Sequence, residues 1–160
     1  MNSSERDIMR QCAGYCSTAE RCVSEVRKRL AGLDVDDEAA DRIIAALVNE
    51  KFIDEARYSR AFVNDKFRFN KWGRRKIAFE LKQKGLSSLL IEDALDTIDA
   101  GQYDETLKNL LLKKKASVKA KSEYDLVAKL ASYAVSKGFE AVLVFAAIKQ
   151  LTGLDDESLD

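Results

Sequence analysis

Proline is absent from all 160 residues of this chain, and so is histidine. Proline makes up about one residue in twenty of an average protein and breaks helix interiors, so a proline-free chain rich in charge reads as helix nearly throughout. Without histidine there is no imidazole to act as general base or zinc ligand. Cysteine is scarce and local: Cys12, Cys16 and Cys22 all lie in the first quarter. An odd number without histidine argues against a disulfide framework or a His-containing zinc site. Cys12 and Cys16, four apart, share a helix face and have a metal-sharing spacing, but small buried thiols in a reducing compartment are the expected role. No apolar run approaches the roughly 18 residues of a membrane span; the longest is Ala141 to Ile148. The amino terminus has no basic start followed by an apolar core, so a cytoplasmic protein without membrane association is expected. Phosphate-loop and nucleophile-elbow motifs are missing too. The acids Asp34, Asp36, Asp37 and Glu38 fit helix capping better than metal binding or acid/base work. These absences leave the expectation of a protein that is not an enzyme and needs no cofactor or metal.

Charge is present in quantity but sorted along the chain. The 27 basic and 27 acidic residues cancel overall, yet residues 51–90 hold eleven bases against four acids, and 91–106 hold six acids and no base. Residues 107–122 reverse this with six bases and no acid. From Lys66 to Lys84 eight bases face the single acid Glu80. A neutral protein can bind a polyanion through one such block while its acidic surface meets a basic partner or repels DNA.

An internal repeat organises the helices. The tripeptides Ile53-Asp54-Glu55, Tyr103-Asp104-Glu105 and Leu154-Asp155-Asp156 recur at spacings of 50 and 51 residues, each placing an acid where a helix would begin. Ile43, Ala46 and Leu47 correspond to Ile91, Ala94 and Leu95 and to Val144, Ala147 and Ile148, and Lys84-Gly85-Leu86 matches Lys137-Gly138-Phe139. A period near 50 implies a tandem helical array with boundaries at 1–53, 54–103 and 104–160. Within it, Ser17-Thr18-Ala19-Glu20 has the capping-box pattern for a helix reaching Leu30. Asp36 or Asp37 starts a helix burying Ile43, Ile44, Leu47 and Val48. Asp54 opens one with Tyr58, Phe62 and Phe69 inward and Phe67 off the stripe. Helices then follow over 73–84, from Ser87 or Ser88, from Asp104, over 123–137 and over 139–151.

The candidate site is the basic block. Lys66, Arg68, Lys71, Trp72, Arg74, Arg75, Lys76, Lys82 and Lys84 cluster around an expected helix start, with Arg57 and Arg60 on the helix before. Gly73 would let phosphate approach backbone amides there. Trp72 reads either as a core anchor or as a platform for a base. Lys113, Lys114 and Lys115 form a possible second contact, or a solvated helix end.

The motif order Ile53-Asp54-Glu55-Ala56-Arg57-Tyr58, then Gly73-Arg74-Arg75-Lys76-Ile77, then Glu80-Leu81-Lys82-Gln83-Lys84-Gly85-Leu86 resembles the RecX family of recombinase regulators, over about residues 17–157. The first repeat departs by having Gly32-Leu33-Asp34-Val35 where the others have Lys-Gly, and the third by carrying Ala134 and Ser136. The resemblance implies an all-α curved array of three tandem three-helix modules. It also implies a regulator that binds the RecA–DNA filament and inhibits its ATPase, growth and strand exchange, in DNA repair, recombination and the SOS response. The partners would be RecA and single- or double-stranded DNA, the protein itself a monomer. On this reading Lys71, Arg74, Arg75 and Lys76 supply the contact, and losing Arg74 and Arg75 weakens inhibition without unfolding. The alternative is a sequence-tolerant nucleic-acid-binding helical protein with no recombinase partner.

Overall fold

A computed structural model describes residues 1–153, so the third tripeptide, Leu154-Asp155-Asp156, lies outside the described residues. Among those, nine helices follow one another without a strand: α1 (Ser3–Thr18), α2 (Val23–Gly32), α3 (Asp37–Asn49), α4 (Glu55–Arg68), α5 (Arg74–Gln83), α6 (Ser88–Leu95), α7 (Ala100–Ser117), α8 (Glu123–Ser136) and α9 (Ala141–Thr152). The chain is an all-α helical-repeat array.

Several helix starts fall where the acids and serines placed them. Asp36 accepts the Ala39 amide at 2.8 Å and Asp54 the Arg57 amide at 3.0 Å, while Ser122, which the sequence reading did not name, accepts the Asp125 amide at 3.1 Å just before the expected start at 123. Ser87 Oγ accepts the Leu90 amide at 3.3 Å. Each cap satisfies a backbone donor that lacks an intrahelical partner.

Two starts differ from expectation. Ser17 does not cap; it lies in the last turn of α1, a helix the sequence reading missed, and its hydroxyl donates to Ala13 O at 2.9 Å. The helix α2 begins at Val23, with the Glu25 carboxylate accepting the Cys22 amide at 3.1 Å. The Ser17–Glu20 pattern thus imitates a capping box whose true partners are Cys22 and Glu25. Nor does Asp104 open α7. Asp99 does, accepting the Gln102 amide at 2.9 Å, and this leaves Asp104 exposed one turn inside the helix. The 50-residue tripeptide spacing therefore does not mark equivalent helix starts.

A better marker of the repeat is the turn after α2, α5 and α8. Val35 N–H donates to Leu30 O at 3.1 Å, Leu86 N–H to Leu81 O at 3.2 Å and Phe139 N–H to Ala134 O at 3.2 Å. The residue before each donor has positive φ: Asp34 at 58°, Gly85 at 87° and Gly138 at 100°. This is one helix-ending motif, which also follows α3, where Phe52 N–H donates to Leu47 O at 2.9 Å and Lys51 has φ of 65°. After α2 aspartate occupies the left-handed position that glycine holds after α5 and α8, so Gly32 is not the counterpart of Gly85.

The residues form two compact units. One comprises Met1–Phe62 and Glu80–Ala94, the other Val63–Phe79 and the chain from Leu95 onward. The first unit is built on Cys12, Val26, Leu30, Ala40, Ile43, Ile44, Leu47 and Ile53, which form one buried cluster. Cys12 and Cys22 are fully buried and Cys16 half-buried, and burial pushes all three thiols up, favouring the protonated form. Val48, expected inward, is exposed.

The second unit is centred on an aromatic stack. Phe67 packs on Tyr103 at 5.8 Å between ring centroids, and Tyr103 on Phe139 at 5.0 Å. Phe69, expected inward, is 78% exposed, whereas Phe67, off the expected stripe, is buried. The cause is local: α4 stops at Arg68, so Phe69 lies beyond the helix whose periodicity had been extended to reach it.

Candidate nucleic-acid interface

At the start of α5 the amides expected to meet phosphate are already engaged. Gly73 N–H donates to Lys137 O at 2.8 Å, Arg74 N–H to Tyr103 Oη at 2.9 Å and Arg75 N–H to Gly138 O at 2.9 Å. Gly73 is buried, and the approach is so close that a Cβ there would sit 2.3 Å from the Gly138 carbonyl carbon. The glycine admits another stretch of backbone, not a ligand.

Arg74 belongs to the same junction. Its Nη1 donates to Glu140 Oε2 at 2.8 Å, and its guanidinium lies 3.8 Å from the centre of the Tyr103 ring. Tyr103 Oη donates to the other oxygen of Glu140. Tyr103 is almost fully buried, and its phenol titrates well above the ordinary range because burial and Glu140 both oppose ionisation. Arg74 is thus a paired structural cation, and Arg74→Ala would disturb folding as well as any contact.

Burial pushes the Glu140 carboxyl up, but the hydrogen bonds from Tyr103 and Arg74 outweigh it and hold its pKa below 4.5. A carboxylate with a depressed native pKa stabilises above its unfolded value and loses that contribution as pH falls through the native one. Melting temperature is therefore expected to fall below about pH 4.5, and the Glu140→Gln variant to show a shallower decline. Parallel melts from pH 7 to 3 check this; identical slopes would exclude the contribution.

In the first unit, Arg57 donates from Nε to Glu20 Oε1 at 2.6 Å and from Nη2 to Lys51 O at 3.1 Å. Lys84 lies 3.7 Å from Glu25 and over the Phe62 ring at 6.0 Å. Both are internally committed. Arg60 and Lys82 are exposed, and neither has an ion pair among the described residues.

In the second unit, Lys66 and Lys76 place their ammonium groups 4.8 and 4.5 Å from the centre of the half-buried Trp72 ring. The tryptophan is accordingly engaged by two cations of its own chain. Arg68, Lys71 and Arg75 are exposed with no carboxylate partner among the described residues. Lys71 Nζ donates to Arg68 O at 2.6 Å.

What the sequence keeps apart, the second unit brings together. Lys71 from the first basic block lines a groove of 430 Å³ with Lys113 and Lys114 from the second. Lys115 is exposed outside this lining. Lys137, missed by the sequence reading, completes the set; its Nζ donates to Asn70 O at 3.0 Å. The signal for it was its place in the Lys-Gly-Phe copy of the repeat, which had been read only as a junction. Tyr133 forms part of the wall, with Lys114 Nζ 4.6 Å from its ring centre. No carboxylate lines this groove. The arrangement can bind anions, and no group of three or more acids or cysteines among the described residues could hold a metal ion. No helix of the described residues is long and apolar enough to cross a membrane.

The family model for the second three-helix domain of RecX matches residues 54–95, which begin at the capping Asp54. Regulatory protein RecX of Clostridium beijerinckii is 29% identical over 133 residues, which are 82% of this chain and 62% of that protein. The chain thus spans a little under two thirds of that relative's length. Regulatory protein RecX of Prosthecochloris aestuarii is 26% identical over 152 residues, covering 94% of this chain and 97% of its own. A crystal structure of a regulatory protein RecX superposes with a TM-score of 0.84 at 25% identity, over 91% of this chain and 71% of that one. RecX from Lactobacillus salivarius has the same fold, with a TM-score of 0.83 at 22% identity over 94% of this chain and 97% of its own. The matching central segment, the relatives that span nearly the whole chain and the common helical architecture agree in likening this chain to regulatory proteins of the RecX family.

Proposed function

We propose that this protein regulates a RecA-type recombinase in the cytoplasm, binding the RecA–DNA filament as a monomer and inhibiting ATP hydrolysis, filament growth and strand exchange. The observation that carries the reading is the match of residues 54–95 to the RecX second domain, a segment in which Arg60, Arg68, Lys71, Arg75 and Lys82 are exposed. Its physical basis is repetition. A filament presents the same subunit surface and the same phosphates many times, so several weak contacts from a repeat protein sum through effective concentration. Arg60, Arg68, Lys71, Arg75 and Lys82 are the cations best suited to such contacts, being exposed and making no ion pair at contact distance among the described residues. No covalent chemistry is required of the protein.

Titration into a RecA-type ATPase assay on single-stranded DNA tests this. ATP turnover should fall progressively as the protein is added and approach a small residual rate. Turnover that stays constant while the protein binds DNA would instead support the second reading, a nucleic-acid-binding protein without a recombinase partner. The lysine-lined groove favours that second reading to the extent that its chemistry suits nucleic acid with no recombinase present.

A further inference from the structure

We infer that the second unit carries a binding track for single-stranded nucleic acid, with phosphates held by Lys71, Lys113, Lys114 and Lys137 and one base stacked on Phe69. The inference rests on the nucleic-acid side of the function proposed above and moves the contact away from the start of α5.

Three segments of chain supply the cations: the turn after α4, the C-terminal half of α7 and the end of α8. Four lysines line one groove that no carboxylate lines, which makes it a cationic surface suited to a polyanion.

The groove does not end at Lys71. A second depression of 530 Å³ shares Lys71, Thr106 and Asn109 with the first and continues to Arg68 and Phe69, with Glu105 also in its wall. Phe69 is the most exposed phenylalanine of the described residues, at 78%. A cationic channel ending at an open aromatic face is how proteins hold unpaired strands, since every base has a face to stack. Bases in a duplex are already stacked on each other, so Phe69 has no role there. An acidic peptide would satisfy the lysines, but it offers a planar group to the ring only where it carries an aromatic side chain.

The test is fluorescence anisotropy with a labelled oligodeoxythymidine of about 20 nucleotides. The full chain should bind, and four phosphate contacts to a single strand should weaken binding about fifty-fold between 50 and 200 mM salt. The double variant Lys71→Glu, Lys113→Glu should bind at least about tenfold more weakly, with a smaller salt slope. Phe69→Ala should lose about tenfold on the single strand and nothing on a duplex. Lys119→Glu, Lys121→Glu makes the same change in charge outside the groove and should lose less than about threefold; circular dichroism and melting confirm that each variant folds. A control pair that loses as much as the groove pair overturns the track in favour of net charge alone. Unchanged binding by the groove pair, or absent binding by the wild type, overturns it outright. An equal effect of Phe69→Ala on single strand and duplex overturns the stacked base. Recombinase ATPase inhibition by the wild type reads separately. Inhibition that persists without oligonucleotide binding sinks the track and spares the regulator, and the opposite pair of results does the reverse.

Discussion

Gly73→Ala is expected to destabilise the second unit by about 3 kcal/mol or more, well beyond the typical effect of one added methyl group. The added Cβ would lie 2.3 Å from Gly138 C and 2.4 Å from both Gly138 O and Phe139 N, and these are backbone atoms with no rotamer to yield. Relief requires the two segments to part. That would break the bonds from Gly73 N–H to Lys137 O and from Arg75 N–H to Gly138 O, and would pull Arg74 from Glu140. For a chain of this size the melting temperature should drop by roughly 10 °C. Gly14→Ala is the matched control, because it lies inside α1 with nothing within 4 Å of the new Cβ. It should be neutral or stabilising by up to about 1 kcal/mol. Melts of the two variants side by side decide the matter, and a Gly73→Ala protein as stable as the wild type would remove the junction from the account.

Phe139→Ala should cost about 4 kcal/mol, from the loss of a fully buried ring and of its contact with Tyr103. The ring closes the Phe67–Tyr103–Phe139 stack, so its removal leaves a cavity beside a tyrosine that already holds Arg74 and Glu140 in place. By contrast, Phe69→Ala should change stability by less than about 0.5 kcal/mol, since that ring is mostly in water. Denaturant unfolding of both variants checks the pair. Helical periodicity carried past Arg68 predicts substantial loss for Phe69, so the comparison also tests where α4 ends.

These residues show which parts of the molecule the sequence made legible. Absent proline, the apolar stripes and the acids and serines at helix starts sufficed for an all-α repeat, because each signal acts within a few residues of itself. Legibility ended where two signals of equal local strength competed. Ser17-x-x-Glu20 and Cys22-x-x-Glu25 have the same spacing, and serine is much the commoner cap, but Glu20 is held by Arg57 from 37 residues away. Asp104 looks as good an N-cap as Asp99, and only the burial of Tyr103 against Phe67 and Phe139 sets the register.

The candidate site was legible as a composition and not as a surface. A count of charge from Lys66 to Lys84 treats every cation alike, whereas folding commits Arg74 to Glu140 and Lys84 to Glu25, and in the preceding helix Arg57 to Glu20. Those acids lie 37 to 66 residues away from their partners, beyond the reach of any window of charge. The same long-range packing that removes these cations adds Lys137 to Lys71, Lys113 and Lys114. Gly73 was read correctly as a position needing close approach, with the wrong object approaching.

The most direct measurement of the proposed regulation compares ATPase inhibition by the wild type and by an Arg68→Glu, Arg75→Glu variant in one RecA-type assay on single-stranded DNA. Both side chains are exposed and without carboxylate partners among the described residues, so melting temperatures should agree within a few degrees. The concentration giving half inhibition should rise at least about tenfold in the variant, consistent with 1.4 kcal/mol or more of lost contact energy. Equal inhibition by the two proteins, at equal stability, would contradict a cationic contact between this surface and the filament.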